Sequence, residues 1–197
     1  MTQRWLSDPR PDFVVLALAG GLAVVAGIVA IVRELARILP NRDVPVRVDL
    51  DGVAHELVLN RTVAAEATEA VVRVSGLEAA PFALVLAAAV LPPVTTLVVA
   101  ACFALLGWSF YRGEFFGRGN LVAVNVAAAV LVAASLLIPS LQGTAASSAL
   151  ASAGAGTGQA VVLGLDMRLL LAGFLLGAVG YAFQRGSRLK RDTEGLV

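Results

Sequence analysis

Reactive side chains are scarce in this chain of 197 residues, which holds one cysteine, Cys102, and one histidine, His55. A lone thiol inside an apolar run has no intramolecular disulfide partner. With no base near it in sequence it is no nucleophile either, so Cys102 reads as a small core hydrophobe. His55 sits on a stretch with strand period and reads as sheet surface rather than as a metal ligand. No metal, cofactor or catalytic constellation emerges, and no enzymatic activity is expected. Charged residues make up only 15% of the chain and the net charge is +1. That leaves no basic face for nucleic acid, so no direct nucleic-acid contact is expected. Gly154-Ala155-Gly156-Thr157-Gly158 lacks the Lys-Ser/Thr ending of a phosphate-binding loop and reads as flexible linker.

What the chain has in quantity is hydrocarbon: 58% hydrophobic residues and a mean hydropathy of +0.84. Four long apolar runs stand at residues 13–32, 82–110, 121–141 and 161–183. At ~1.5 Å of rise per residue, about 20 residues cross a hydrocarbon core of ~30 Å. The first run is longer than a signal-peptide core, and no small-residue cleavage site follows it, so it reads as a retained span. The expected fold is an all-α membrane protein of four transmembrane helices, with a small β-containing extracytoplasmic insert between the first and second.

Basic residues set the expected orientation. Arg4 and Arg10 precede the first span, Arg112 and Arg118 lie between the second and third, and Arg185, Arg188, Lys190 and Arg191 follow the fourth. The loop at 143–160 has no Lys or Arg. Both termini are therefore placed in the cytoplasm; fourteen arginines against one lysine in an Ala/Val-rich chain suggest a GC-rich bacterial genome, and with the four spans a bacterial inner membrane is expected. The expected layout along the chain is a flank at 1–12, a first span at 13–38 and an insert at 39–80. A second span at 81–110 leads to a cytoplasmic joint at 111–120 and a third span at 121–141. A flexible outer loop at 142–160, a fourth span at 161–183 and a basic tail at 184–197 complete it.

In the insert, Val44, Val46, Val48 and Leu50 alternate with polar residues, the period of a half-buried strand. Asp51-Gly52 reads as a two-residue hairpin turn and Val53 to Leu59 as a second strand. Residues 64–70 read as helical or irregular, and Val71 to Val74 as a third strand. Pro92-Pro93 should kink the second span, with Thr95 and Thr96 at hand for the freed carbonyls. Small residues four apart, Ala17/Gly21, Ala23/Gly27 and Gly173/Gly177, suggest close helix packing within the chain.

Ionisable residues are nearly absent from mid-span, where they would mark a transport path. Asp166 and Arg168 stand near the outer end of the fourth span, and Arg33, Glu34 and Arg37 near that of the first. Pairing of Asp166 with Arg33 or Arg37, and of Arg168 with Glu34, is expected as a structural clamp. The cytoplasmic joint contains Gly113, Phe116 and Asn120, the last well placed to cap the third span. The tail ends with Phe183, Gly186, Leu189, Asp192, Glu194, Gly195, Leu196 and Val197.

The joint pattern Gly-x-x-Phe-x-x-x-Asn, the four-span layout and that tail ending together resemble the bacterial membrane family catalogued as domain of unknown function 2975. The resemblance covers essentially the whole chain, with Phe115 standing where the family pattern has proline. It implies an integral membrane protein without established enzymatic activity, whose relatives occur beside small helix-turn-helix regulators. The joint and tail residues then become the candidate interaction motif, and the expected partners are the lipid bilayer and a cytoplasmic regulatory protein. The alternative is a transport or pore-type protein acting as a homo-oligomer; the lack of mid-membrane charge and of an internal repeat weighs against it.

Overall fold

The computed structural model describes residues 10–59, 61–113, 117–154 and 161–194. In order these form α1 (Arg10–Ile38), β1 (Val44–Leu59), β2 (Arg61–Val74), α2 (Ala79–Tyr111), α3 (Arg118–Ser152) and α4 (Met167–Glu194). All four helices contain a stretch long and apolar enough to cross a bilayer, and the molecule is a multi-pass membrane protein with one small two-stranded sheet. The chain divides into two compact units.

The first unit comprises Met1–Ile31, Pro92–Ser135 and Asp166–Val197. Its core is small and tight: Cys102 and Leu106 from α2 meet Ala123, Val124 and Ala127 from α3, with Val98, Phe110 and Leu176 around them. Glycines set the helix crossings. A Cβ on Gly20 of α1 would stand 2.7 Å from the Ala104 Cα of α2, and one on Gly27 would lie 3.3 Å from Leu97. On α4, a Cβ on Gly173 would meet Val132 at 2.7 Å and one on Gly180 the Asn125 Oδ1 at 2.7 Å. Glycine lets backbones approach where any side chain would hold them apart. The spacing rule is right for Gly27 and Gly173, but Gly21 faces open space and its neighbour Gly20 makes the contact.

The second unit comprises Val32–Leu91 and Leu136–Leu165. Here Ile38 at the end of α1 and Val44, Val46 and Val74 at the hairpin root pack with Val85 and Ala88 of α2. Leu77 and the alanines Ala145, Ala146 and Ala149 of α3 complete this core. Asn41 ties the hairpin's two ends together. Its backbone is left-handed (φ 50°) just past α1, a conformation Asn tolerates. Its amide Nδ2 donates to the Leu77 carbonyl at 2.9 Å, and its Oδ1 accepts the Leu77 N–H at 3.1 Å. The Gly76 N–H donates to the Asn41 carbonyl and the Asp43 N–H to Ser75 Oγ.

The sheet differs from the sequence-based expectation. β1 passes straight through Asp51-Gly52, and residues 64–70 belong to β2 rather than to a helix or a separate third strand. β1 and β2 pair antiparallel from Val44↔Val74 to Leu59↔Arg61, with a register shift between Asp49 and Val53. Asp and Gly tolerate unusual backbone angles in an irregularity as readily as in a turn, so their local signal does not separate the two.

A second correction concerns residues 142–160. The sequence suggests a flexible loop, but α3 runs on through Pro139 to Ser152. Alanine is the best helix former. The hydroxyls interspersed with it turn back onto their own helix: Thr144 donates to the Ser140 carbonyl, Ser147 to that of Thr144 and Ser152 to that of Ala149. Correspondingly, α4 begins at Met167, not at 161, and continues through the expected tail to Glu194.

Candidate functional site

Within the first unit, the end of α2, the start of α3 and the second half of α4 carry the joint and tail residues singled out above. Gly113 ends α2 with φ 79°, its N–H donating to the Phe110 carbonyl at 2.9 Å. No atom would crowd a Cβ there, so glycine serves the left-handed angle rather than close approach. α3 starts at Arg118, which puts Asn120 in its first turn and not at the cap. The Gly117 carbonyl accepts the N–H groups of Asn120 and Leu121, and Asn120 itself is 5% exposed. An amide so deeply buried marks a structural position in the bundle rather than a free helix end.

Phe183 is the tail residue that the structure joins to the α2 end: its ring lies 6.4 Å from that of Phe110, tilted by 32°. Gly186, Leu189, Asp192 and Glu194 continue along α4. Phe116, Gly195, Leu196 and Val197 lie outside the described residues.

Two cation–aromatic pairs flank this contact. Arg112 lies over the Trp108 ring at 5.4 Å, and Trp108 sits 5.9 Å from Tyr111. Arg185 lies 5.5 Å from the Tyr181 ring centre, at its hydroxyl edge, and donates to that hydroxyl from Nε (3.0 Å) and a terminal nitrogen (2.9 Å). Trp108, Tyr111 and Tyr181 are all exposed. Aromatic rings with an apolar body and a polar edge, each beside an arginine, have the composition of a membrane–water boundary. Spacing could have revealed them, since both pairs stand four apart on a helix.

The proposed clamp residues fall in both units. Arg33 and Arg37 are exposed and Glu34 is half-buried on the last turns of α1, in the second unit. Asp166 and Arg168 belong to the first. Pairing between these sets stays an expectation; what the structure adds is a local role for Asp166. Its Oδ1 accepts the N–H groups of Arg168 (2.8 Å) and Leu169 (3.2 Å), which is the N-cap of α4.

Immediately before that cap, residues 161–165 run non-helically. Within the second unit, the Val162 N–H donates to Thr144 Oγ1 at 3.2 Å and the Gly164 N–H to Ser140 Oγ at 3.0 Å. Ser140 in turn donates to the Gly164 carbonyl at 3.2 Å. Beside this strap, Leu91, Leu137, Ser140, Leu141, Thr144 and residues 161–163 line an open groove of about 320 Å³. Within the first unit, the Ser135 carbonyl, which lacks an intrahelical N–H partner because residue 139 is proline, accepts the Asp166 N–H at 2.7 Å.

Among the described residues no three His, Cys, Asp or Glu side chains gather as a metal site. Cys102 is buried in the first unit's core. Comparison of the chain with protein-family models, curated proteins and solved structures finds no match in any of the three.

Proposed function

We propose that this chain is a non-catalytic bacterial inner-membrane protein with both termini in the cytoplasm. In this reading it holds a cytoplasmic regulatory protein through the α2–α3 joint and the α4 tail. The observation that carries the reading is the Phe110–Phe183 ring contact, which brings the two segments to one end of the first unit. The arginines and exposed aromatics at that end support a cytoplasmic boundary by the positive-inside rule. The resemblance to domain of unknown function 2975 supports the same assignment and suggests a helix-turn-helix regulator as partner.

A plain membrane anchor needs the basic residues Arg185, Arg188, Lys190 and Arg191, but has no use for the acids Asp192 and Glu194 beside an anionic leaflet. Removing residues 192–197 should therefore leave membrane abundance intact and abolish retention of a cytoplasmic protein in affinity capture from native membranes. Neutralising the four basic residues should instead disturb orientation or yield. A deletion silent in capture, with every defect explained by the basic residues, would reduce the tail to an anchor.

A further inference from the structure

We propose that the groove beside the strap holds an acyl chain of a bilayer phospholipid. Its walls are the side chains of Leu91, Leu137, Leu141, Val161, Val162 and Leu163, contributed by α2, α3 and the strap of one unit. The two hydroxyls in the lining are already engaged. Ser140 exchanges hydrogen bonds with both backbone groups of Gly164, and Thr144 takes the Val162 N–H while donating to Ser140. The groove therefore offers a ligand an almost wholly hydrocarbon surface with both lining hydroxyls engaged, which favours a methylene chain over ions and polar substrates.

Two further observations choose a bilayer lipid as the occupant. The rim is apolar and open: Leu137 is 53% exposed, and Val161 and Leu163 are each 83% exposed. No Asp, Glu, Lys or Arg occurs between Arg118 and Asp166, nor anywhere in Ala79–Tyr111. Every wall thus comes from a segment without a charged residue, in a molecule with four helices suited to a bilayer. Lipid tails are the apolar molecules present there at highest concentration. Three backbone groups of the strap, the Val162 N–H and both groups of Gly164, are satisfied by α3 hydroxyls, as non-helical backbone among lipids requires.

The test places the full chain in lipid nanodiscs made with a phospholipid carrying a diazirine in its acyl chain, followed by peptide mapping after photolysis. Labelling at residues 137–144 and 161–163 should exceed that at Leu171 and Leu175, exposed apolar residues of α4, by several-fold. Leu137→Asn with Leu163→Asn should lower groove labelling several-fold. Leu136→Asn, on an equally exposed neighbour outside the lining, should leave it unchanged; matched thermal melts exclude a folding defect. Groove labelling no greater than at Leu171 and Leu175 would overturn the proposal. So would chain-to-chain crosslinks from a photoreactive amino acid placed at Leu137 or Val161, which would assign the groove to a second copy.

Discussion

Adjacent glycines on α1 allow a helix crossing to be weighed with little else changing. Gly20 is buried and Gly21 exposed, one residue apart on the same helix. Replacing either by alanine brings the same helix-propensity gain, at most about 1 kcal/mol. Only at Gly20 does the new methyl collide, 2.7 Å from the Ala104 Cα, 2.8 Å from its Cβ and 2.9 Å from its nitrogen. Two of those atoms are backbone, so no rotamer change relieves the clash and the helices must separate. Overpacking of this kind costs about 1–3 kcal/mol, and that figure is the expected difference between the two variants. For a chain of this size it corresponds to roughly 2–12 °C in Tm, readable by thermal unfolding in a fixed detergent. Gly21→Ala should melt at or above the parent. Combining Gly20→Ala with Ala104→Gly should recover part of the loss, because it removes the Cβ contact and leaves the backbone ones. Equal destabilisation by Gly20→Ala and Gly21→Ala would refute the crossing.

Other residues give sharper yes-or-no outcomes. Asp166→Asn should be nearly neutral, since Asn caps as well as Asp, whereas Asp166→Ala should cost about 0.5–2 kcal/mol in the same melt; a large loss with Asn would favour the ion-pair clamp instead. Asn41→Asp sets a carboxylate oxygen against the Leu77 carbonyl in place of a donor, and should destabilise by about 1–3 kcal/mol, with faster amide exchange at Leu77. In a Cys102→Ala background, an impermeant thiol reagent on intact cells should label Ser152→Cys, which is exposed at the end of α3, and spare Ser187→Cys. The reverse pattern would invert the proposed orientation.

The spans were readable because an apolar run of twenty residues has few alternatives to a membrane helix, and the Pro92-Pro93 pair indeed lies inside α2. Thr96 Oγ1 donates back to the Pro92 carbonyl there. Where the signal was compositional, it misled. Residues 143–152 look like linker by their Gly, Ala and Ser content. Their helicity depends on hydroxyls folding back onto carbonyls and on alanines finding a core, neither of which composition reports. Spacing identified small residues on α1 but not which face met α2, since Gly20 and Gly21 fit helical periodicity equally well. Asn41 was invisible for another reason: its partner Leu77 is 36 residues away. At the candidate interaction end, Phe183 was legible through the tail pattern, while the ring it meets, Phe110, belongs to the span before the joint and carries no motif.

Pro139 has a consequence in time as well as in space. A ribosome delivers α3 before the strap, so the unpaired Ser135 carbonyl and the Ser140 and Thr144 hydroxyls exist as a template before their guests emerge. The guests emerge in the order Val162, Gly164, Asp166, and within the first unit the last of these both bonds to Ser135 and caps α4. The start of the final helix is thereby written into the preceding one, and a chain halted before Val162 would leave that carbonyl waiting.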